Sequence, residues 1–144
     1  MATLILFGVF TILMLSYGII PSWNAVFIPL LMILQIMAGL GAAYTLSALT
    51  VSYRDFRFII PFMVQLLIFV SFVFIPLESL SPKMQYLASI NPFTGIIDAF
   101  RAAIFTDHPW RPVNLLISGL STTVIFVFGL FYFRKTERRF ADIA

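Results

Sequence analysis

Four stretches without a charged residue, Ala2 to Ile20, Val26 to Val51, Phe58 to Leu77 and Val113 to Phe133, constrain this chain more than any other feature. Each is close to or above the ~20 residues a helix needs to cross the hydrocarbon of a bilayer. A helix that is apolar on every face belongs in a large core or in lipid. A chain of 144 residues has no large core, and at 61% hydrophobic and 10% charged it could not cover a soluble surface. The expected fold is therefore an all-α integral membrane protein with four transmembrane helices, forming one domain over 1-144. There is no cysteine, which removes disulfides and thiolate chemistry. No basic residue precedes the first block and no small-residue cleavage site follows a short apolar run, so a signal peptide is not expected.

The Lys and Arg residues flank the spans and set their orientation. With both termini inside, Arg54, Arg57, Arg134, Lys135, Arg138 and Arg139 face the cytoplasm, and Lys83, Arg101 and Arg111 lie outside. Six against three predicts a cytoplasmic C-terminus, with the tail 134-144 as a basic helical end at the lipid headgroups. The second span carries small residues four apart, Ala38 with Ala42 and Gly39 with Ala43, a spacing that lets helix backbones approach closely.

Between the third and fourth spans, Glu78 to Pro112 is too long for a turn. Ser81-Pro82 reads as an N-cap with proline at the first helical position, and Asn91-Pro92 ends that helix and starts another, giving short helices over about 82-90 and 92-105. In the second, Phe93, Ile96, Ile97, Phe100 and Ile104 form an apolar stripe, with Thr94, Asp98 and Arg101 on the other side and Asp98 spaced to pair with Arg101. Neither helix is long enough to cross, so the pair is read as a re-entrant hairpin at the outer face, the alternative being an amphipathic hairpin lying in the interface.

The spans hold no side chain that ionises at neutral pH; Gln35, Thr45, Ser47, Gln65 and Ser71 are their most polar groups, suited to bonding between helices. A proton-coupled mechanism has no intramembrane carboxylate to use. The single histidine, His108, is read as a solvated loop residue and no metal site is expected. No glycine is followed by lysine, so there is no P-loop, and any nucleotide energy must come from another chain. The cytoplasmic loop Tyr53-Arg54-Asp55-Phe56-Arg57 alternates charge with aromatic rings. Its arginines satisfy orientation alone, whereas Asp55 between them suits a docking partner.

Three motifs in order, Tyr53 to Arg57 followed by Ile60-Pro61-Phe62, then Ser89-Ile-Asn-Pro-Phe-Thr-Gly-Ile-Ile-Asp-Ala-Phe-Arg101, then Phe131-Tyr-Phe-Arg134 with Glu137-Arg138 and Phe140-Ala141-Asp142, resemble the permease subunits of bacterial ABC-2 type exporters of O-antigen, capsule and teichoic-acid chains. Tyr17-Gly18 with Pro21-Ser22-Trp23 resembles the outward turn before them. The resemblance covers nearly the whole chain but corresponds to the last four of six spans, so the chain looks like a C-terminal portion. One departure is Ser71-Phe72, where the family commonly has proline after the Ser or Thr.

The resemblance implies a non-enzymatic subunit of an ATP-driven exporter of lipid-linked polysaccharide in the bacterial inner membrane, working as a homodimer with a separate ATPase. That partner would use ATP and Mg, and this chain would bind no cofactor. It further implies that Tyr53, Arg54, Asp55 and Arg57 face the ATPase, that Asn91, Pro92, Phe93, Gly95, Asp98 and Arg101 shape a periplasmic gate, and that Phe62, Phe69, Phe72 and Phe74 belong to an aromatic channel lining. The alternatives are a non-transporting membrane scaffold and a small proton-coupled exporter, the latter disfavoured by the missing carboxylate.

Overall fold

The computed structural model describes residues 2–20 and 23–141; Pro21 and Ser22 of the outward turn and Asp142 of the tail motif lie outside them. The described residues form six α-helices and no strand: α1 (Ala2–Ser16), α2 (Ile28–Ser52), α3 (Phe56–Val70), α4 (Pro82–Ala88), α5 (Pro92–Ile104) and α6 (Pro112–Ala141). Short 3-10 turns at Trp23–Phe27 and Leu77–Ser79 precede α2 and α4.

Two segments, Trp23–Ser52 and Pro112–Arg138, are long and apolar enough to cross a bilayer. α6 runs 30 residues, so the last span passes without a break into the basic tail, as the sequence predicts. α1 and α3 have 15 residues each, about 22 Å of helix at 1.5 Å per residue, and are shorter than their apolar blocks. Both ends have local causes. Gly18, at φ +68°, closes α1: its N–H reaches Leu15 O at 3.2 Å while Ile19 N–H reaches Met14 O at 3.0 Å, a Schellman stop that a side-chain-bearing residue disfavours.

α3 ends at Val70 rather than at the predicted Leu77. The helix could not continue fully bonded, because Pro76 has no N–H to give the Phe72 carbonyl four residues before it. Phe72 instead turns to φ +53°, in the left-handed region.

α2 and α6 form the centre and run parallel. Leu31 clusters with Leu115, Gly41 abuts Phe126, and the Tyr44 and Phe133 rings meet at a tilt with centroids 5.5 Å apart, so contacts advance in the same direction along both helices. A methyl on Gly41 would fall 2.8 Å from the Phe126 backbone, and one on Gly129 would fall 2.6 Å from Gly41 O, so the two glycines permit the crossing. The predicted small-residue contact is therefore partly misplaced: Ala38, Gly41 and Ala48 are buried, whereas Gly39 has open space around it and Ala43 is exposed. Thr45 is also not an interhelical bond. Its hydroxyl donates to Gly41 O of its own helix at 2.9 Å, while Gln35, Ser47 and Gln65 stand on exposed faces. Across the starts of α2 and α6 lies α5, with Ala99, Ala103 and Leu31 as the small apolar core and Ile28, Phe100, Trp110 and Leu115 around it.

Candidate functional site

The two helices predicted between the third and fourth blocks form as Pro82–Ala88 and Pro92–Ile104. Their caps differ. Ser81 occupies the N-cap of α4 without a side-chain bond, whereas Asn91 Oδ1 accepts from Phe93 N–H at 3.1 Å, satisfying a free donor of the first turn of α5.

α5 buries residues from both of its predicted sides. Thr94 and Asp98 are 1% and 2% exposed and Ile96 of the apolar stripe is fully buried, while Phe93, Ile97, Phe100 and Ile104 are only half-buried. The reason is the close approach of α5 to α6 at Gly95, where a Cβ would lie 2.3 Å from Ser118 Oγ and 2.6 Å from Asn114 O. Without that Cβ, Gly95 N–H donates to Ser118 Oγ at 3.0 Å, and the Ser118 hydroxyl donates to Ser89 O at 2.7 Å. One serine thus ties α6 to both helices of the hairpin. Thr94 Oγ1 and Asn114 Nδ2 are buried beside this junction with no hydrogen-bond partner.

Asp98 does not pair with Arg101. Its Oδ1 lies 3.3 Å from Arg111 Nη1 and 3.1 Å from His108 Nε2. Glu78 closes the group from the other side, with Oε1 3.1 Å from His108 Nδ1 and 3.7 Å from Arg111 Nη2. His108 is therefore not a solvated loop residue: its side chain is 13% exposed and wedged between two carboxylates. Burial drives this arrangement, since a carboxylate with 3% of its side chain exposed must be paired to remain charged. Nothing in the local sequence marks His108 and Arg111 as partners of a residue ten and thirteen positions away, and only the fold of the loop brings them back onto α5.

Arg101 turns instead toward the segment after α3, donating to Val73 O with Phe72 O at 3.5 Å. Asn91 Nδ2 donates to Ser71 Oγ of the same segment at 3.0 Å. Of the predicted outer group, then, Asn91, Pro92, Gly95, Asp98 and Arg101 are built into one polar junction, and Phe93 lies half-buried at its edge.

At the opposite end of α2, Tyr53, Arg54, Asp55 and Arg57 are all exposed in the tight turn to α3. Tyr53 and Phe56 rings sit 6.2 Å apart, and Thr50, Arg54, Arg57 and Phe58 surround a cavity of about 300 Å³. Of the four predicted lining aromatics, Phe62, Phe69 and Phe74 are more than 60% exposed, with Phe69 and Phe74 6.0 Å apart, and Phe72 is half-buried. A second cavity, of about 310 Å³, separates α3 from α2 and α6, lined by Ala42, Thr45, Met63, Leu67, Ile125 and Phe128 among others.

The chain is 24% identical over 131 residues to the O-antigen export system permease protein RfbA of Myxococcus xanthus, an alignment covering 88% of this chain and 50% of that protein. It thus spans about half the length of the curated relative it matches. No solved structure matches it. The family model described as "ABC-2 type transporter" matches residues 1–105, from α1 through the buried face of α5. With α2 and α6 long enough to span, and with the polar hairpin packed across their starts, that match assigns the chain: it belongs to the ABC-2 type transporter family.

Proposed function

We propose that the chain is the C-terminal portion of a six-span permease that exports lipid-linked polysaccharide, of O-antigen, capsule or teichoic-acid type, across the bacterial inner membrane. In this reading 1-144 is one domain in which α1 and α3, lengthened by their flanking apolar residues, act as two further spans beside α2 and α6. The hairpin α4–α5 lies at the periplasmic face as a gate, and the basic end of α6 lies in the cytoplasm. Two permeases assemble with a separate ATPase that binds ATP and Mg, and this chain itself hydrolyses nothing. The observation that carries the reading is the family match over residues 1–105. It is supported by spans without an ionisable side chain, which leave an external energy source as the natural one.

Tyr53, Arg54, Asp55 and Arg57 then meet the ATPase, a role their exposure permits. The exposed aromatic rings of Phe62, Phe69 and Phe74, with Phe72 beside them, offer apolar faces on which sugar rings stack. The double variant Arg54→Glu with Arg57→Glu tests the docking role. Export and permease-stimulated ATP hydrolysis should fall while membrane insertion stays intact; unchanged export and coupling would rule that role out. A P-loop ATPase that co-purifies with the chain supports the exporter over a non-transporting scaffold.

A further inference from the structure

The polar junction holds its charges in one group of four. Asp98 comes from α5, Glu78 from the short turn before α4, and His108 and Arg111 from the loop before α6. Two carboxylates face one guanidinium, so the group carries one net negative charge when the His108 ring is neutral and none when it is an imidazolium. Only 3% of the Asp98 side chain, 13% of His108 and 19% of Arg111 is exposed, and an unbalanced charge in such surroundings is costly. Arg101 is turned to the Val73 carbonyl, and Lys83 and Asp107 are exposed, so among the described residues no further ion pair balances the four.

Hydrogen bonding makes the same demand independently. His108 Nδ1 lies 3.1 Å from Glu78 Oε1, and Nε2 lies 3.1 Å from Asp98 Oδ1. An ionised carboxylate only accepts, and a neutral imidazole has one N–H and one bare nitrogen. Both contacts are donated together only when both ring nitrogens carry hydrogen. Arg111 donates to both oxygens of Asp98 and reaches Glu78 Oε1, which engages the two acids as acceptors.

We propose that His108 is a proton-binding site that fastens the turn before α4 to α5 and to the loop before α6. One proton from the adjoining water binds the bare ring nitrogen, supplies the second N–H and brings the group to zero net charge. When that proton leaves, the remaining N–H stays with Asp98, the more buried acid, and a bare nitrogen faces Glu78. Glu78 has 44% of its side chain exposed and can turn to water, so its contact is the one that opens. The fastening is therefore complete at low pH and is lost as pH rises through the titration of the ring. The compartment whose acidity is sensed follows from the transporter reading, but the site itself does not rest on it.

The chain has one histidine and no cysteine, which makes the test direct. Solid-state NMR of the full chain in liposomes, grown with 15N-labelled histidine, reads this ring alone. Both nitrogens should carry hydrogen at about pH 6 and only one at about pH 9. Asp98→Asn should release the proton at a roughly tenfold higher proton concentration than the parent, the effect of losing a charged partner. An Asn variant that titrates with the parent overturns the site. The fastening is read by denaturing-detergent titration, in which the parent's folded-to-unfolded ratio should fall roughly fivefold between those two pH values. His108→Gln, whose amide offers N–H at one end and an acceptor at the other, should stay flat near the parent's high-pH value. A parent equally stable at both pH values, or a Gln variant that keeps the dependence, overturns the fastening. If His108→Gln does not fold, Glu78→Gln carries the same test: it should lessen the parent's fall, and an undiminished fall overturns the proposal. A chain that behaves in this way yet exports no glycan would refute the proposed function and leave the proton site standing.

Discussion

Gly95 and Asp98, three residues apart on α5, show how much of the outer junction depends on single side chains. Gly95→Ala would drive a methyl to 2.3 Å from Ser118 Oγ and part α5 from α6. A cost of about 1–3 kcal/mol is expected, the usual range for overpacking, read as a lower midpoint in denaturing-detergent titration. Gly39→Ala, in open space, should change that midpoint little and serves as the control. Asp98→Asn removes the charge facing both Arg111 and His108. Because Glu78 stays as a second partner for each, we expect a loss of about 2 kcal/mol, the weight of a charge-assisted hydrogen bond, rather than the larger cost of stranding an ion. Glu78→Gln, at a site with 44% of its side chain exposed, should cost less than ~1 kcal/mol in the same titration. Asn91 was legible beforehand, since Asn before Pro is a helix-start signal that needs no tertiary context. Asp98 was not. Spacing along one helix suggested Arg101, and competition from a loop that folds back decided otherwise.

At the scale of elements, the apolar blocks and the Ser-Pro and Asn-Pro pairs located all six helices, and their ends depended on subtler features. The apolar block through Leu77 carries no sign that α3 stops at Val70 unless the Phe72 carbonyl and Pro76 are read together. That α5 would bury Thr94 and Asp98 along with Ile96 was illegible for a different reason. An apolar stripe is read against water, whereas beside a membrane the polar side of a helix can be the one that seeks the protein. The pairing of α2 with α6 depends on glycines whose spacing was visible but whose face was not. Gly129→Val, pushing on Gly41 O, should separate the two helices and lower the detergent midpoint more than the same change at Gly119, which has open space. Protease sensitivity of the Tyr53–Arg57 turn gives an independent check, since that turn hangs from the end of α2.

For the molecule as a whole, the orientation proposed from six bases against three can be read with single cysteines. Lys83→Cys should react with a membrane-impermeant maleimide from outside the cell and Arg138→Cys only after the membrane is opened; the reverse pattern would invert the topology. The parallel course of α2 and α6 adds a second constraint on where charge can sit. Peptide dipoles in parallel helices add instead of cancelling, each contributing roughly half a positive charge at its N-terminus and half a negative charge at its C-terminus. Glu78 and Asp98 gather by the start of α6, where Arg111 pairs with both, and Arg54 and Arg57 follow the end of α2, while Arg134 and Lys135 lie in the last turns of α6. The basic side chains at the C-terminal ends therefore offset the negative end of a standing dipole across the pair, and moving them to the other end would oppose the field of the backbone as well as the orientation rule.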